Sequence, residues 1–412
     1  LGKYSGPEKG GFFSFRAPQV KIATEVLAMW DDLIKPQLVN AGTSTLANVK
    51  FANSTSVAYA ESYQPGKNPN SCFVWLNPVQ NDGRPGRDNF ANSELGSWAY
   101  TIYIHETGHA LGLNHAGPYD RGNPTYEKNA LYFQDSPQYS VMSYFEPEKT
   151  GANWLASDGY IYSPQTPMLN DIKGIQKMYG ADLKTRLDDT TYGYNATTKA
   201  TVYNFSLNPH PVLSIYDAGG NDTLDNSQSP YACTLNLNPG AYSSTDKMRF
   251  NIAIAANTKI ENAVGGLGND TLIGNTLANQ LKGSEGNDTL LGGGGADTLI
   301  GGEGSDLLTG GVGADTFRFR AFSESASGNF DTISDFSSAQ KDKIDLRTLD
   351  ANSLVEGKQA FAFIGKQSFS GEAGEVRYAN GRLQADCNGD KNPDFEIMLQ
   401  KVMALSVADF LL

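Results

Sequence analysis

From Gly265 to Arg318 the sequence repeats every nine residues, six times without a gap: GGLGNDTLI, GNTLANQLK, GSEGNDTLL, GGGGADTLI, GGEGSDLLT and GGVGADTFR. The sixth position of each unit is Asp270, Asn279, Asp288, Asp297, Asp306 or Asp315, and the eighth is Leu272, Leu281, Leu290, Leu299, Leu308 or Phe317. A unit this short cannot bury a core of its own, so the units must stack. Each reads as a tight six-residue turn followed by a three-residue strand. The glycines permit positive φ and expose carbonyl oxygens, while the aspartate adds a carboxylate. Hard oxygen donors of this kind select Ca²⁺, and the eighth-position side chains form a thin apolar ladder. A flexible Gly-rich linker is the competing reading, and the strict period argues against it.

A second constraint lies upstream, where three of the four histidines fall within eleven residues, His105-Glu106-Thr107-Gly108-His109-Ala110-Leu111-Gly112-Leu113-Asn114-His115. On a helix His105 and His109 leave the same face one turn apart. Gly112 can take a positive φ, end the helix and let the chain return His115 to the same point. Three imidazole nitrogens with a fourth position open describe a catalytic rather than a structural zinc. Glu106 is adjacent but directed away from the ligand pair, which suits a general base acting on water. His210, between Pro209 and Pro211, carries no such context.

The long H-E-x-x-H-x-x-G-x-x-H motif, with Ser140-Val141-Met142-Ser143-Tyr144 downstream, resembles the metzincin clan of metalloproteases. Met142-Ser143-Tyr144 narrows the resemblance to the serralysin family. It implies that Met142 forms a hydrophobic floor beneath the histidines. It also implies that Tyr144 is a further zinc ligand at rest and swings away to stabilise the oxyanion. One departure is Ala116, where serralysins usually carry proline after the third histidine.

The nonapeptides resemble the RTX β-roll of the same family, a parallel β-helix in which alternate turns share ions. That resemblance implies calcium between half-sites 18 residues apart: Gly266, Gly268 and Asp270 with Gly283, Glu285 and Asp288; Ser284, Gly286 and Asp288 with Gly301, Glu303 and Asp306. It likewise pairs Gly293, Gly295 and Asp297 with Gly310, Val312 and Asp315. Asn275, Leu277 and Asn279, opposite Gly292, Gly294 and Asp297, form a weaker site because Asn279 replaces the aspartate. Asp217, Gly219, Gly220 and Asp222 resemble a serralysin calcium loop completed by Arg186, Asp188, Thr190, Lys259 and Glu261. Asp331, Asp335 and Asp345 resemble another ligand set, and Asp386, Asn388, Asp390 and Asp394 form a further acidic loop; solvated turns are the alternative for all three of these sets outside the repeat. One catalytic Zn²⁺ and about six to eight structural Ca²⁺ are therefore expected.

Composition sets the outer bounds. The chain has 412 residues, too many for one ordinary core. Its 45 acidic against 32 basic residues give a net charge of −13, which argues against nucleic-acid binding and suits calcium. No apolar run reaches the roughly 18 residues needed to span a bilayer, so membrane insertion is not expected. Leu1 to Phe15 lacks the basic end and apolar stretch of a secretory signal, and the missing initiator methionine suggests processing. Three cysteines, Cys72, Cys233 and Cys387, allow at most one disulfide; buried thiols are the simpler reading.

Apolar periodicity predicts a helix over Ala17–Leu38, strands at Val49–Ala52, Val57–Tyr63 and Cys72–Leu76, and a polar loop over 81–92. Further helices are predicted over Ser93–Leu111 and Met168–Tyr179. The expected fold class is α+β multidomain: a metzincin-type α/β protease domain at residues 1–183, then an all-β parallel β-roll and β-sandwich at 184–412. The family resemblance adds a substrate-pairing edge strand between residues 72 and 92, and a C-terminal export signal in Ser406–Leu412. A plain hydrophobic strand is the alternative for those last residues.

The leading function is a secreted, monomeric zinc endopeptidase of broad specificity. Its implied partners are protein and peptide substrates, a type I exporter and a small proteinaceous inhibitor. The alternative is a calcium-dependent RTX binding or toxin module with an inactive protease domain; the intact zinc motif weighs against it. An RTX lipase would require a G-x-S-x-G elbow, which the sequence lacks.

Overall fold

The computed structural model describes residues 11–42, 44, 47–65, 72–79, 90–91, 93–119 and 123–412. The chain divides into two compact units. The first comprises Leu1–Asp188, Ala200–Gly220 and Met248–Thr258; the second comprises Asp189–Lys199, Asn221–Lys247 and Lys259–Leu412. The division is therefore not one cut near residue 183, because two later segments return to the first unit. No helix among the described residues is long and apolar enough to cross a membrane.

In the first unit, helix α1 (Ala17–Asp31) buries Ile22, Ala23, Val26 and Trp30. It ends short of the expected Leu38 because Pro36 cannot sit in a helix interior and restricts the residue before it. Leu33 and Ile34 stay buried beyond the helix end. Strands β1 (Phe12–Phe13), β2 (Val49–Ser54), β3 (Ala60–Ser62) and β4 (Cys72–Leu76) form a sheet in the order β1-β2-β4-β3. β2 and β4 run parallel, and β3 is antiparallel to β4.

The expectation of an edge strand within residues 72–92 is corrected for its described part. β4 is interior: its CFVWL run is largely buried and is flanked by β2 and β3. The edges among the described residues are β1 and β3. The polar loop expected over 81–92 lies outside the described residues except for Phe90 and Ala91.

Helix α2 (Trp98–Ala110) begins where Ser97 Oγ accepts a hydrogen bond from Tyr100 N–H at 3.1 Å, so it starts later than Ser93. It is buried on most sides, as its mixed aromatic and small residues allow. A short α3 (Tyr126–Asn129) follows, and α4 (Leu169–Tyr179) stops at Gly180, whose φ is 78°. Trp30, Val74, Ile104, Met142 and Ile172 meet in one apolar core, joining both long helices, the sheet and α4.

The second unit carries the repeat. In one sheet of eight strands the register aligns Tyr192, Leu224, Ala263, Leu281, Leu299, Phe317, Ile344 and Phe410 through parallel pairs. In the other, Leu235, Leu272, Leu290, Leu308, Ile333 and Leu399 align the same way. These side chains are buried and form the ladder expected from the eighth positions. Three strands, Glu375–Ala379, Arg382–Asp386 and Phe395–Leu399, extend that sheet as antiparallel neighbours, and Ala362–Phe363 adds a parallel strand at its edge. The last residues form a short strand, Phe410–Leu411, beside Lys343–Asp345. Cys72, Cys233 and Cys387 are free and buried.

Leu299 is fully buried between Leu281 and Phe317. Leu299→Ala should cost about 2–5 kcal/mol, because a ladder one side chain wide has little to collapse into the gap. Urea unfolding in calcium-containing buffer measures the loss; a change below about 1 kcal/mol would contradict the single-ladder core.

Candidate functional site

His105, His109 and His115 bring one ligand atom each to within 4.8 Å of the others. The first two leave α2 one turn apart, and Gly112, at φ 104°, turns the chain so that His115 returns. His105 Nδ1 lies 2.7 Å from Val141 O, and His109 Nδ1 lies 2.8 Å from Leu113 O. Each Nδ1 therefore carries the proton, and each Nε2 lone pair is presented inward. His109 Nε2 and His115 Nε2 approach to 3.0 Å. Burial, and then His109, push the His105 imidazole down to about 3, so it is neutral and able to ligate.

Glu106, the next residue, is 7% exposed, and its Oε2 has no hydrogen-bond partner. Burial, and then the Glu61 carboxylate, push its carboxyl up to about 8. A cation held beside it would oppose that rise. Three convergent imidazoles and an adjacent buried carboxylate oxygen without a donor fit a divalent zinc-type centre.

Met142 is 2% exposed, and a Cβ built on Gly108 would lie 3.0 Å from its sulfur. Glycine at that position lets α2 settle onto the methionine. Tyr144 is partly exposed, its ring 4.5 Å from that of His115 and 6.0 Å from that of His105. Tyr119, which sequence reasoning missed, stacks on His115 at 6.0 Å and 16°. Its hydroxyl donates to the buried Asp135 carboxylate at 2.5 Å. Burial and Asp135 together push its phenol well above the usual range. Only its place four residues after His115 could have hinted at this role. His210 lies away from this cluster, stacked on Tyr162 and 3.3 Å from Asp158.

In the second unit the sixth-position aspartates Asp288, Asp297, Asp306 and Asp315 share a two-ended arrangement that Asp331 continues, whereas both oxygens of Asp270 accept N–H groups, from Cys233 and Gly266. One oxygen of Asp288 accepts Asp270 N–H at 2.7 Å, and Asp306 and Asp331 accept Asp288 N–H and Asp306 N–H likewise. On the other side Asp297 accepts Asn279 N–H and Asp315 accepts Asp297 N–H. The Oδ2 atoms of Asp288, Asp297, Asp306, Asp315 and Asp331 are buried without a partner. A Cβ on Gly283, Gly292, Gly301 or Gly310 would fall within 2.4 Å of these Oδ2 atoms, so glycine leaves that space open. A row of oxygens with this spacing could hold Ca²⁺.

Other expected ligands divide. Gly266 N–H donates to Asp270, while Gly286, Gly293 and Gly295 take positive φ, as does Ser284 at 92°. Asn279 and Asn275 turn their amide nitrogens onto the Glu261, Leu237 and Ile260 carbonyls. Leu277 N–H is held by the Asn275 side chain, and the carbonyls of Glu303 and Val312 accept Gly286 and Gly295 N–H. Gly294 pairs with Val312 and Glu285 with Glu303 across the strands. Gly268 packs directly against the Tyr231–Ala232 backbone.

In the second unit Asp222 accepts Thr190 N–H at 2.8 Å and its own N–H donates to Glu261 at 2.8 Å, which joins three expected ligands; Lys259 is exposed. In the first, Asp217 accepts Gly219 N–H, Gly220 has φ 139°, Asp188 is exposed and Arg186 pairs with Asp32.

Asp335 accepts the N–H groups of Gly310 and Gly311. Asp345 is clamped by Arg318 and Arg347; although burial raises its carboxyl, their hydrogen bonds hold it down at about 2. Two guanidinium groups there compete with any cation. Asp342, missed in the sequence, accepts Asp315 N–H at 3.0 Å and continues the aspartate row instead. Asp386 accepts the N–H groups of Asn388, Gly389 and Lys391, and Asp394 that of Cys387, as in a self-closed turn.

Comparison with known proteins places these sites in context. Residues 181–412 match the family described as Peptidase M10 serralysin C terminal. Over 402 residues the chain is 38% identical to Metalloprotease AprA of Pseudomonas entomophila (strain L48), covering 94% of this chain and 78% of that protein. Serralysin B of Dickeya chrysanthemi is 37% identical over 66% of this chain and 55% of that protein. Serralysin of Photorhabdus luminescens is 37% identical over 64% of this chain and 54% of that protein. The chain thus spans little more than half the length of these two serralysins.

The aspartate row makes the stability of the second unit depend on pH when calcium is chelated. Burial pushes Asp297 and Asp306 up to about 7, Asp288 to about 8 and Asp331 to about 9. Unfolded aspartates titrate near ~4. Between these values the folded form of the row binds more protons, so the row's contribution to stability is fully present below about pH 4 and falls as pH rises towards about 9. Circular-dichroism melts in chelator should show Tm falling along that range; a Tm that rises with pH would contradict the assignment.

Proposed function

This chain belongs to the serralysin family of metalloproteases, and we propose that it is a secreted zinc-dependent endopeptidase with a calcium-filled β-roll. The observation that carries the catalytic reading is the convergence of three imidazoles beside the buried Glu106. We read residues 1–183 as the core of the catalytic domain and 184–412 as the calcium-binding domain.

His105, His109 and His115 would hold the zinc. When bound, zinc supplies a Lewis acid and makes a water nucleophilic near neutral pH. Glu106 takes the proton from the attacking water and passes it to the leaving amine. Tyr144, partly exposed beside His115, donates its hydroxyl to the oxyanion that forms on the substrate carbonyl. Met142 keeps the underside of the histidine cluster dry. Broad specificity for protein and peptide substrates follows the family.

The partnerless aspartate oxygens support calcium as the folding partner of the second unit. Where free calcium is low, as inside a cell, the row of carboxylates would disfavour folding, which suits an unfolded chain passing a type I exporter. A small protein inhibitor blocking the histidine cluster, and a monomeric enzyme, complete the proposal.

Glu106→Gln should keep stoichiometric zinc while proteolysis of an unstructured protein falls about 10²–10⁴-fold. Metal analysis and mass spectrometry of the digest read both quantities. A fully active variant would remove Glu106 from the mechanism.

A further inference from the structure

His109 and His105 are oriented by carbonyls of different origin. The carbonyl that holds His109 belongs to Leu113, four residues on, and is fixed by the same helix end. The carbonyl that holds His105 belongs to Val141, 36 residues on, so something outside α2 must fix its position.

The side chain in place to do so is Asp171, in the first turn of α4 and 2% exposed. Its Oδ2 accepts Val141 N–H at 2.8 Å and Met168 N–H at 2.9 Å. Its Oδ1 accepts the Ser140 hydroxyl at 2.6 Å, and Ser140 Oγ in turn accepts Met142 N–H at 3.1 Å. One carboxylate therefore ties the α4 terminus to three successive residues of the turn beneath the histidines. The residue whose N–H it holds is the same one whose carbonyl orients His105.

Burying a carboxylate is costly, and here burial pushes the group up to about 6. A buried acid that hydrogen-bonds a turn from a separate helix fixes the turn more tightly than apolar packing, because each bond is directional.

We propose that Asp171 is a positioning residue that sets His105 and Met142 for metal binding through the Ser140–Met142 turn. The proposal rests on the zinc reading above. It extends the site to α4, which touches none of the reacting atoms.

The test uses the full chain loaded with zinc or cobalt(II). Chelator competition gives the metal Kd, steady-state assays separate kcat from KM, and the cobalt absorption spectrum reports ligand geometry. Asp171→Ala should weaken zinc about 10–100-fold, lower kcat more than KM changes, and shift the cobalt spectrum. Asp171→Asn should recover most of the loss. With its amide turned, the oxygen can accept Val141 and Met168 N–H while the nitrogen faces Ser140 Oγ.

A folded Asp171→Ala with wild-type Kd, kcat and spectrum overturns the proposal, as does an Asp171→Asn variant no better than alanine. If Asp171→Ala does not fold, Ser140→Ala decides: it keeps two of the three carboxylate bonds and should weaken zinc several-fold, whereas unchanged binding overturns the role. A wild-type chain that binds no zinc at the histidines sinks the zinc reading and this proposal together. Normal wild-type binding with indifferent variants sinks this proposal alone.

Discussion

A buried carboxylate oxygen without a donor is among the costliest arrangements a protein interior can hold, and this chain repeats it in both units. Glu106 Oε2 is one instance, and the Oδ2 atoms of Asp288, Asp297, Asp306, Asp315 and Asp331 are others. In each of these aspartates the second oxygen is tied to a backbone N–H, so the carboxylate cannot rotate to relieve its partner. Only a cation or a proton can offset the cost. The raised carboxyl groups describe the proton solution, and the glycine-lined spaces beside them describe the cation solution.

The histidines follow the same principle with opposite chemistry. In His105 and His109 one nitrogen is tied to a carbonyl and the other is presented, so those rings have neither tautomeric nor rotational freedom left. Preorganisation of this kind lowers the entropy lost when a metal arrives, and it places demands on the elements that supply the carbonyls. The Val141 carbonyl is as well placed as the turn that carries it, which is why the first turn of α4 matters to a cluster on α2.

The zinc-type site was legible because its donors are local. A helical pair and a glycine turn are determined by spacing over eleven residues, and the structure brings His105, His109 and His115 together as that spacing requires. Residues acting across long separations left no such mark. Asp171 is 30 residues from Val141, and Tyr119 meets Asp135 across 16. Only the strand register separates Asp345, the ligand that the resemblance implied, from Asp342, three residues before it. Lys343 and Ile344 pair with Thr316 and Phe317, which places Asp342 opposite Asp315 and leaves Asp345 beside Arg318. The interior position of β4 was hidden for a similar reason, since strand order depends on pairing partners that composition does not name.

The nine-residue period is better understood as a consequence of the ladder than as its cause. Beyond Arg318 the period is lost, yet the pairing continues. Asp306 meets Asp331 and Leu308 meets Ile333, both 25 residues apart; Asp315 meets Asp342 and Phe317 meets Ile344, both 27 apart. Upstream, Thr190, Asp222 and Glu261 repeat the same N–H-to-carboxylate step at irregular intervals, with Tyr192, Leu224 and Ala263 two residues further along each strand. What each turn must keep is a carboxylate position two residues before an inward apolar side chain, because that pair spans the polar turn and the thin core at once. Extra residues inserted between turns leave this pair untouched, whereas losing either member removes a bond to both neighbouring turns. Asn279 shows the limit of what the row tolerates. It keeps the N–H donation to Asp297, but its amide nitrogen reverses polarity and donates to Glu261 O, so the row continues as a hydrogen-bonded rung where a carboxylate oxygen would otherwise stand.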